Sequence, residues 1–180
     1  MFSLEGFVEE CKHALTARDP VVAICETLKK AIVDPDAIAE ALEKSQPGGA
    51  QAGALVHRSD GLTIMHVVAA PGFTSPAHDH TLWAVVGQYK GQEDNRFFEE
   101  REGQLVEVDT RSIRAGEVVP LDDTVIHAIK NPRSDDPCCA LHVYGGDLIG
   151  AERSFWEPET GEKKSARSGE MQAAIERLNG

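Results

Sequence analysis

The chain has 180 residues, with 18 Lys and Arg against 30 Asp and Glu and a formal net charge of −12. That length predicts one domain, residues 1–180, able to bury a core without staples, and 41% hydrophobic with 27% charged residues is the balance of a protein folded in water. The charge argues against nucleic acid or an anionic membrane as partner, no apolar run approaches the roughly 18 residues of a membrane span, and MFSLEGFVEE lacks the basic-then-apolar layout of a secretory signal.

Residues 1–46 read as helices. Leu4, Phe7, Val8, Cys11, Ala14 and Leu15 follow the i, i+3, i+4, i+7 spacing of an amphipathic helix. Asp19-Pro20 then offers an N-cap followed by proline in the first turn, and Asp34-Pro35 repeats it, so two further helices are predicted, the last closed by Gln46-Pro47-Gly48-Gly49. From 51 to 148 short apolar runs alternate with turns: 54–57, 62–70, 83–86, 97–98, 105–108, 118–121, 124–129 and 140–144. Short strands at this spacing predict a mainly β sandwich or barrel rather than βαβ units. Residues 149–180 are a polar extension with a predicted helix at 170–178 and one isolated aromatic pair, Phe155-Trp156. That pair needs something to cover it, either the barrel mouth or a homodimer interface. Cys11, Cys25, Cys138 and Cys139 form no CxxC and no disulfide framework, and read as reduced thiols of a cytoplasmic protein.

The stretch most informative about chemistry is Pro76-Ala77-His78-Asp79-His80. Two histidines at i and i+2 on a strand share a face and can meet one metal ion; by itself such a pair is also a common surface accident. Two further features accompany it. Gly72 precedes His78 by six residues, and Gly116 precedes His127 by eleven, with Asn131 four beyond. These spacings, Gly-x5-His-x-His and Gly-x10-His-x3-Asn, resemble the two motifs of the cupin superfamily, although Asp122-Asp123-Thr124 stands where the second motif carries Pro-x-Gly. The resemblance implies an RmlC-like jelly roll, or double-stranded β-helix, behind the N-terminal helices. It also implies a metal held by His78, His80 and His127. The glutamate that many cupins add is missing, since positions 84 and 85 are Ala and Val. Glu93 is an alternative approach to the metal, but a solvated strand charge is the more ordinary reading of it.

Three histidines without a carboxylate, followed by Gly87, Gly91-x-Glu93 and His142-Val143-Tyr144-Gly145-Gly146-Asp147, are similar to the thiol dioxygenase family, which includes cysteine dioxygenase and 3-mercaptopropionate dioxygenase. The resemblance spans residues 51–150. It implies Fe(II), with Zn, Ni and Mn as alternatives, a small-molecule thiol and O2 as partners, and catalytic support from His142 and Tyr144. There are departures. The serine of the family's Ser-x-His-x-Tyr relay is Ala140, the position of the cysteine that some members crosslink to the tyrosine is Val85, and the carboxylate-binding arginine falls near Gly53. Arg58, Arg96, Arg101 and Arg153 are the substitutes to consider, each with a solvated surface charge as its ordinary reading. Trp83 and Tyr89 are candidates for the pocket wall or for the core, and His13, His57 and His66 are expected to be structural or exposed. A metal-dependent hydrolase or isomerase, or a non-enzymatic metal-binding cupin, fits the same three ligands, because fold does not determine chemistry.

Overall fold

A computed structural model describes residues 2–167 and 169–180. The predicted helices are α1 (Leu4–Ala14), α2 (Pro20–Ala31) and α3 (Pro35–Ser45), followed by a single turn, α4 (Gly49–Ala52). Each long helix starts on a side-chain oxygen that satisfies an otherwise unpaired amide: Ser3 accepts from Gly6 N at 3.1 Å, Asp19 from Val22 N at 3.1 Å and Asp34 from Ala37 N at 3.0 Å. No helix is long and apolar enough to cross a membrane among the described residues.

The strands are β1 (Ala54–Ser59), β2 (Leu62–Ala69), β3 (His78–Asp79), β4 (Ala84–Lys90), β5 (Gln92–Arg101), β6 (Gln104–Arg114), β7 (Val118–Leu121), β8 (Ile126–Lys130), β9 (Cys138–Tyr144), β10 (Ser154–Trp156) and β11 (Lys163–Ser165), ahead of α5 (Glu170–Asn179). They form two antiparallel sheets, ordered β1-β2-β9-β4-β7 and β11-β10-β3-β8-β5-β6. Set aside the edge strands β1, β10 and β11, and the eight that remain alternate between the sheets as two interlocked Greek keys. That is the strand order of a jelly roll, or double-stranded β-helix.

Period-2 alternation sorts the side chains into two cores. Leu62, Ile64, Val85, Tyr89, Cys139, Leu141 and Val143 leave the outer face of the first sheet and pack with Phe7, Cys11, Ile24, Leu28, Ile38 and Leu42 of the helices. Each of the fully buried Leu and Ile side chains contributes about 1.5–3 kcal/mol relative to exposure. Gly87 lets α2 lie close, since a Cβ there would meet Leu28 Cδ2 at 2.9 Å. Ala84, Val86, Ile113, Val119, Leu121, Ala140, Tyr144 and Leu148 fill the space between the sheets. Strand β4 is therefore buried on both faces, which explains its continuous apolar run.

The polar tail differs from the sequence expectation. It is not a loose extension: β10 pairs with β3 through Phe155↔His78, and β11 pairs with β10. Phe155 is completely buried and Trp156 nearly so, with Lys163 Nζ over the Trp156 ring at 4.9 Å. Three-residue strands rich in charge carry no local signal; their hydrogen bonds come from the neighbour that receives them.

Candidate metal centre

The site is built on the second sheet, at the β3–β8 pair. His78 stands directly opposite His127 in the register, and Phe97 of β5 is opposite His127 on the other side. Cross-strand neighbours share a face at Cβ separations of about 4.5–5.5 Å, so His78 and His127 are neighbours by pairing alone. His80 lies just beyond the two-residue β3, not within the strand as its spacing predicts. The chain turns at Thr81, which takes a positive φ of 54°, and His80 still reaches the same side. The ring centroids are 4.7 Å (78–127), 5.0 Å (80–127) and 5.1 Å (78–80) apart. One ligand nitrogen from each residue lies within 4.8 Å of the other two, and all three side chains are buried. The motif glycines have a backbone reason: Gly72 has φ +75° and Gly116 φ +91°, a region that side chains disfavour.

The hydrogen bonds decide which nitrogens face inward. His78 Nδ1–H donates to Pro76 O at 3.1 Å. His127 Nδ1–H donates to Asn95 Oδ1 at 2.7 Å, because Asn95 uses its amide to donate to Glu93 Oε1 at 2.9 Å. Both residues are left with a free Nε2 lone pair. His127 Nε2 and His80 Nε2 face one another at 3.4 Å, while His80 Nδ1 is buried with no partner. Burial holds the pKa of His78 down at about 4 and those of His80 and His127 well below the ordinary 6.5, each further depressed by its imidazole neighbours or by Arg153. Three neutral imidazoles with converging lone pairs fit a divalent transition metal, which binds only the unprotonated ring. Iron, zinc, nickel and manganese all accept this donor set.

Glu93 corrects the expectation of a solvated charge. It is 1% exposed, and its role is one step removed from the histidine cluster, through Asn95. Burial raises its pKa to about 7, opposed by the bond from Asn95. Asn95 has no sequence motif; only its inward position on β5, two residues from both Glu93 and Phe97, could have marked it. Asn131, by contrast, serves the loops: its Nδ2 donates to Ala69 O, Ala70 O and Asp136 O.

His142 and Tyr144 both point into the inter-sheet core from β9. His142 Nδ1 and the Tyr144 hydroxyl are hydrogen-bonded at 3.0 Å, and the edge of the Tyr144 ring meets His80, with centroids 5.1 Å apart at 80°. Burial lowers the His142 pKa to about 3 and raises that of Tyr144, so a neutral imidazole faces a protonated phenol. Ala140 is inward on the same strand. Val85 is not beside Tyr144: it packs toward the helices, and the residue paired with Tyr144 on β4 is Ala84. Tyr89 and Trp83 also belong to the helix side. There His66 Nδ1–H donates to Gly49 O at 2.9 Å and Nε2 accepts from the Tyr89 hydroxyl at 2.6 Å, a structural pair away from the metal cluster.

The nominated arginines separate cleanly. Arg58 pairs with Asp147, Arg96 with Glu107 and Arg101 with Glu99, all on the surface. Arg153 is half-buried, and its Nε is buried without a hydrogen-bond partner.

No protein-family model matches the chain. Among solved structures it is similar to an RmlC-like cupin family protein with a double-stranded β-helix fold from Methanocaldococcus jannaschii (18% identity, 54% of this chain and 81% of that one, TM-score 0.44). It is also similar to recombinant oxalate oxidase in complex with glycolate (21%, 57% and 53%, 0.41) and to Peruvianin-I, a cysteine peptidase from Thevetia peruviana latex (17%, 48% and 51%, 0.40). The chain spans about half the length of the last two. The fold follows from the strand order itself: this is a cupin-type double-stranded β-helix, with three helices laid against its first sheet.

Proposed function

We propose that this chain is a mononuclear metal enzyme of the oxygenase type, acting with O2 on a small thiol. One observation carries the reading: three neutral, buried imidazoles converge without a carboxylate, beside a hydrogen-bonded His142–Tyr144 pair. Iron(II), when bound, would supply the redox chemistry and acidify a coordinated thiol. The protein's own part is positioning. Asn95 and Pro76 O hold the Nδ1 protons of His127 and His78, which commits each ring's Nε2 to the metal. Tyr144 stays protonated and presents an O–H beside His80 that can donate to a ligand atom there, while neutral His142 is placed to take its hydrogen bond or return it. Val86, Phe97, Leu148 and Phe155 wall the space with apolar surface and keep bulk water out.

The test is anaerobic loading with Fe(II) followed by oxygen-electrode measurements against a panel of small thiols. Thiol-dependent O2 uptake, reduced at least about tenfold in Tyr144→Phe, is expected. A protein that holds one iron per chain and consumes no O2 with any thiol refutes the oxygenase reading. Retained zinc with hydrolytic turnover would establish the metal-hydrolase alternative instead.

A further inference from the structure

The C-terminal segment brings a cation to the metal cluster that has no partner of its own. In β10, Phe155 is in register with His78, so alternation puts the side chain two residues earlier, Arg153, on the same side as His78 and Phe155. The segment is pinned there by Ser154 N, which donates to Asp79 Oδ1 at 2.8 Å, and by Trp156 N, which donates to Ala77 O at 2.8 Å. The positive charge of Arg153 is felt at His78, His80 and Tyr144, the groups around the centre. Asp79 and Tyr144 are its electrostatic neighbours, yet among the described residues it forms no ion pair, and its Nε donor is buried and unused. An unsatisfied buried guanidinium donor is costly, on the order of 1–3 kcal/mol or more. Its planar fork matches a carboxylate.

We propose that Arg153 is an anion anchor of the metal site, delivered by the C-terminal segment, and that the site takes a small ligand carrying a carboxylate. The proposal deepens the reading above by assigning the charge of the substrate, and rests on it only for the metal. It also resolves a conflict in the charge: a chain of net −12 repels anions at long range, so an anionic ligand needs a local cation inside the site.

The experiment is calorimetric titration of the wild type, Arg153→Met and Arg153→Lys, both as purified and after anaerobic Co(II) loading. The ligands are propionate, 3-mercaptopropionate and 1-propanethiol. Expected is a preference of the wild type for 3-mercaptopropionate over 1-propanethiol of at least about tenfold, lost in the Met variant and partly kept in the Lys variant, with 1-propanethiol affinity unchanged throughout. Carboxylate affinities in a folded Met variant within about twofold of wild type overturn the proposal, as does a wild type without the preference. Should the Met variant not fold, the wild-type preference and its decline in the Lys variant decide. If Co(II) is not taken up or no thiol binds, the oxygenase reading fails by itself. Propionate binding to the protein as purified then settles the anchor: it stands if that binding depends on Arg153 and falls if it does not.

Discussion

Replacing Glu93 with Gln tests the electrostatics behind the metal centre. Glu93 is 1% exposed, and burial carries its pKa from the ordinary 4.5 to about 7, against the pull of the Asn95 hydrogen bond. A carboxyl whose pKa is higher in the folded than in the unfolded chain contributes stability that is complete below pH 4.5 and is lost as pH rises through about 7. The gap corresponds to on the order of 3 kcal/mol at about 1.4 kcal/mol per pH decade. Gln keeps the acceptor that Asn95 Nδ2 uses but cannot ionise. The added amide hydrogens shift stability by the same amount at every pH, so the pH dependence isolates ionisation. Urea unfolding of the chelator-treated wild type and Glu93→Gln, from about pH 5 to about pH 9, is the assay. The variant is expected to gain on the order of 3 kcal/mol relative to the wild type across that range. Parallel stability profiles would refute the buried, uncharged carboxyl and with it the account of how His127 is held.

Three further outcomes follow from the geometry. Asn95→Ala removes the acceptor of the His127 Nδ1 proton, and competition with a chelator should show metal affinity about 10–100-fold weaker with the fold retained. His127→Ala should abolish stoichiometric metal in elemental analysis while leaving circular dichroism unchanged; collapse of the fold would make His127 a structural staple instead. A Cβ at Gly145 would lie 2.0 Å from Cε2 of Trp83, so Gly145→Ala should cost about 1–3 kcal/mol in denaturant unfolding, whereas Gly103→Ala, where a Cβ meets nothing within 4 Å, should lack that packing cost and carry only the strain of its φ of +77°.

What the sequence announces by itself is local. The N-caps Ser3, Asp19 and Asp34, the apolar stripes of α1–α3 and the turn glycines Gly72 and Gly116 act within a few residues, so their structural consequences are visible without the fold. The His78, His80 and His127 spacings are likewise legible, because a jelly roll holds its strands at nearly constant separations along the chain. Side-chain direction across the sheets is another matter. The crosslink position read as Val85 faces the helices while Ala84 faces Tyr144, and a difference of one residue is a change of sheet face. Glu93 and Asn95 look like ordinary strand polars until closure of β5 against β8 buries them behind His127. The tail is the largest case. Ser154–Trp156 has three residues and no periodicity, and it is a strand only because β3 offers an unpaired edge beside His78. Composition and spacing thus determined the fold class and the three imidazoles, through interactions that are short in sequence. Tertiary structure alone decided which polar groups stand behind them and that Arg153 stands among them, since both depend on hydrogen bonds between segments as far apart as Asp79 and Ser154.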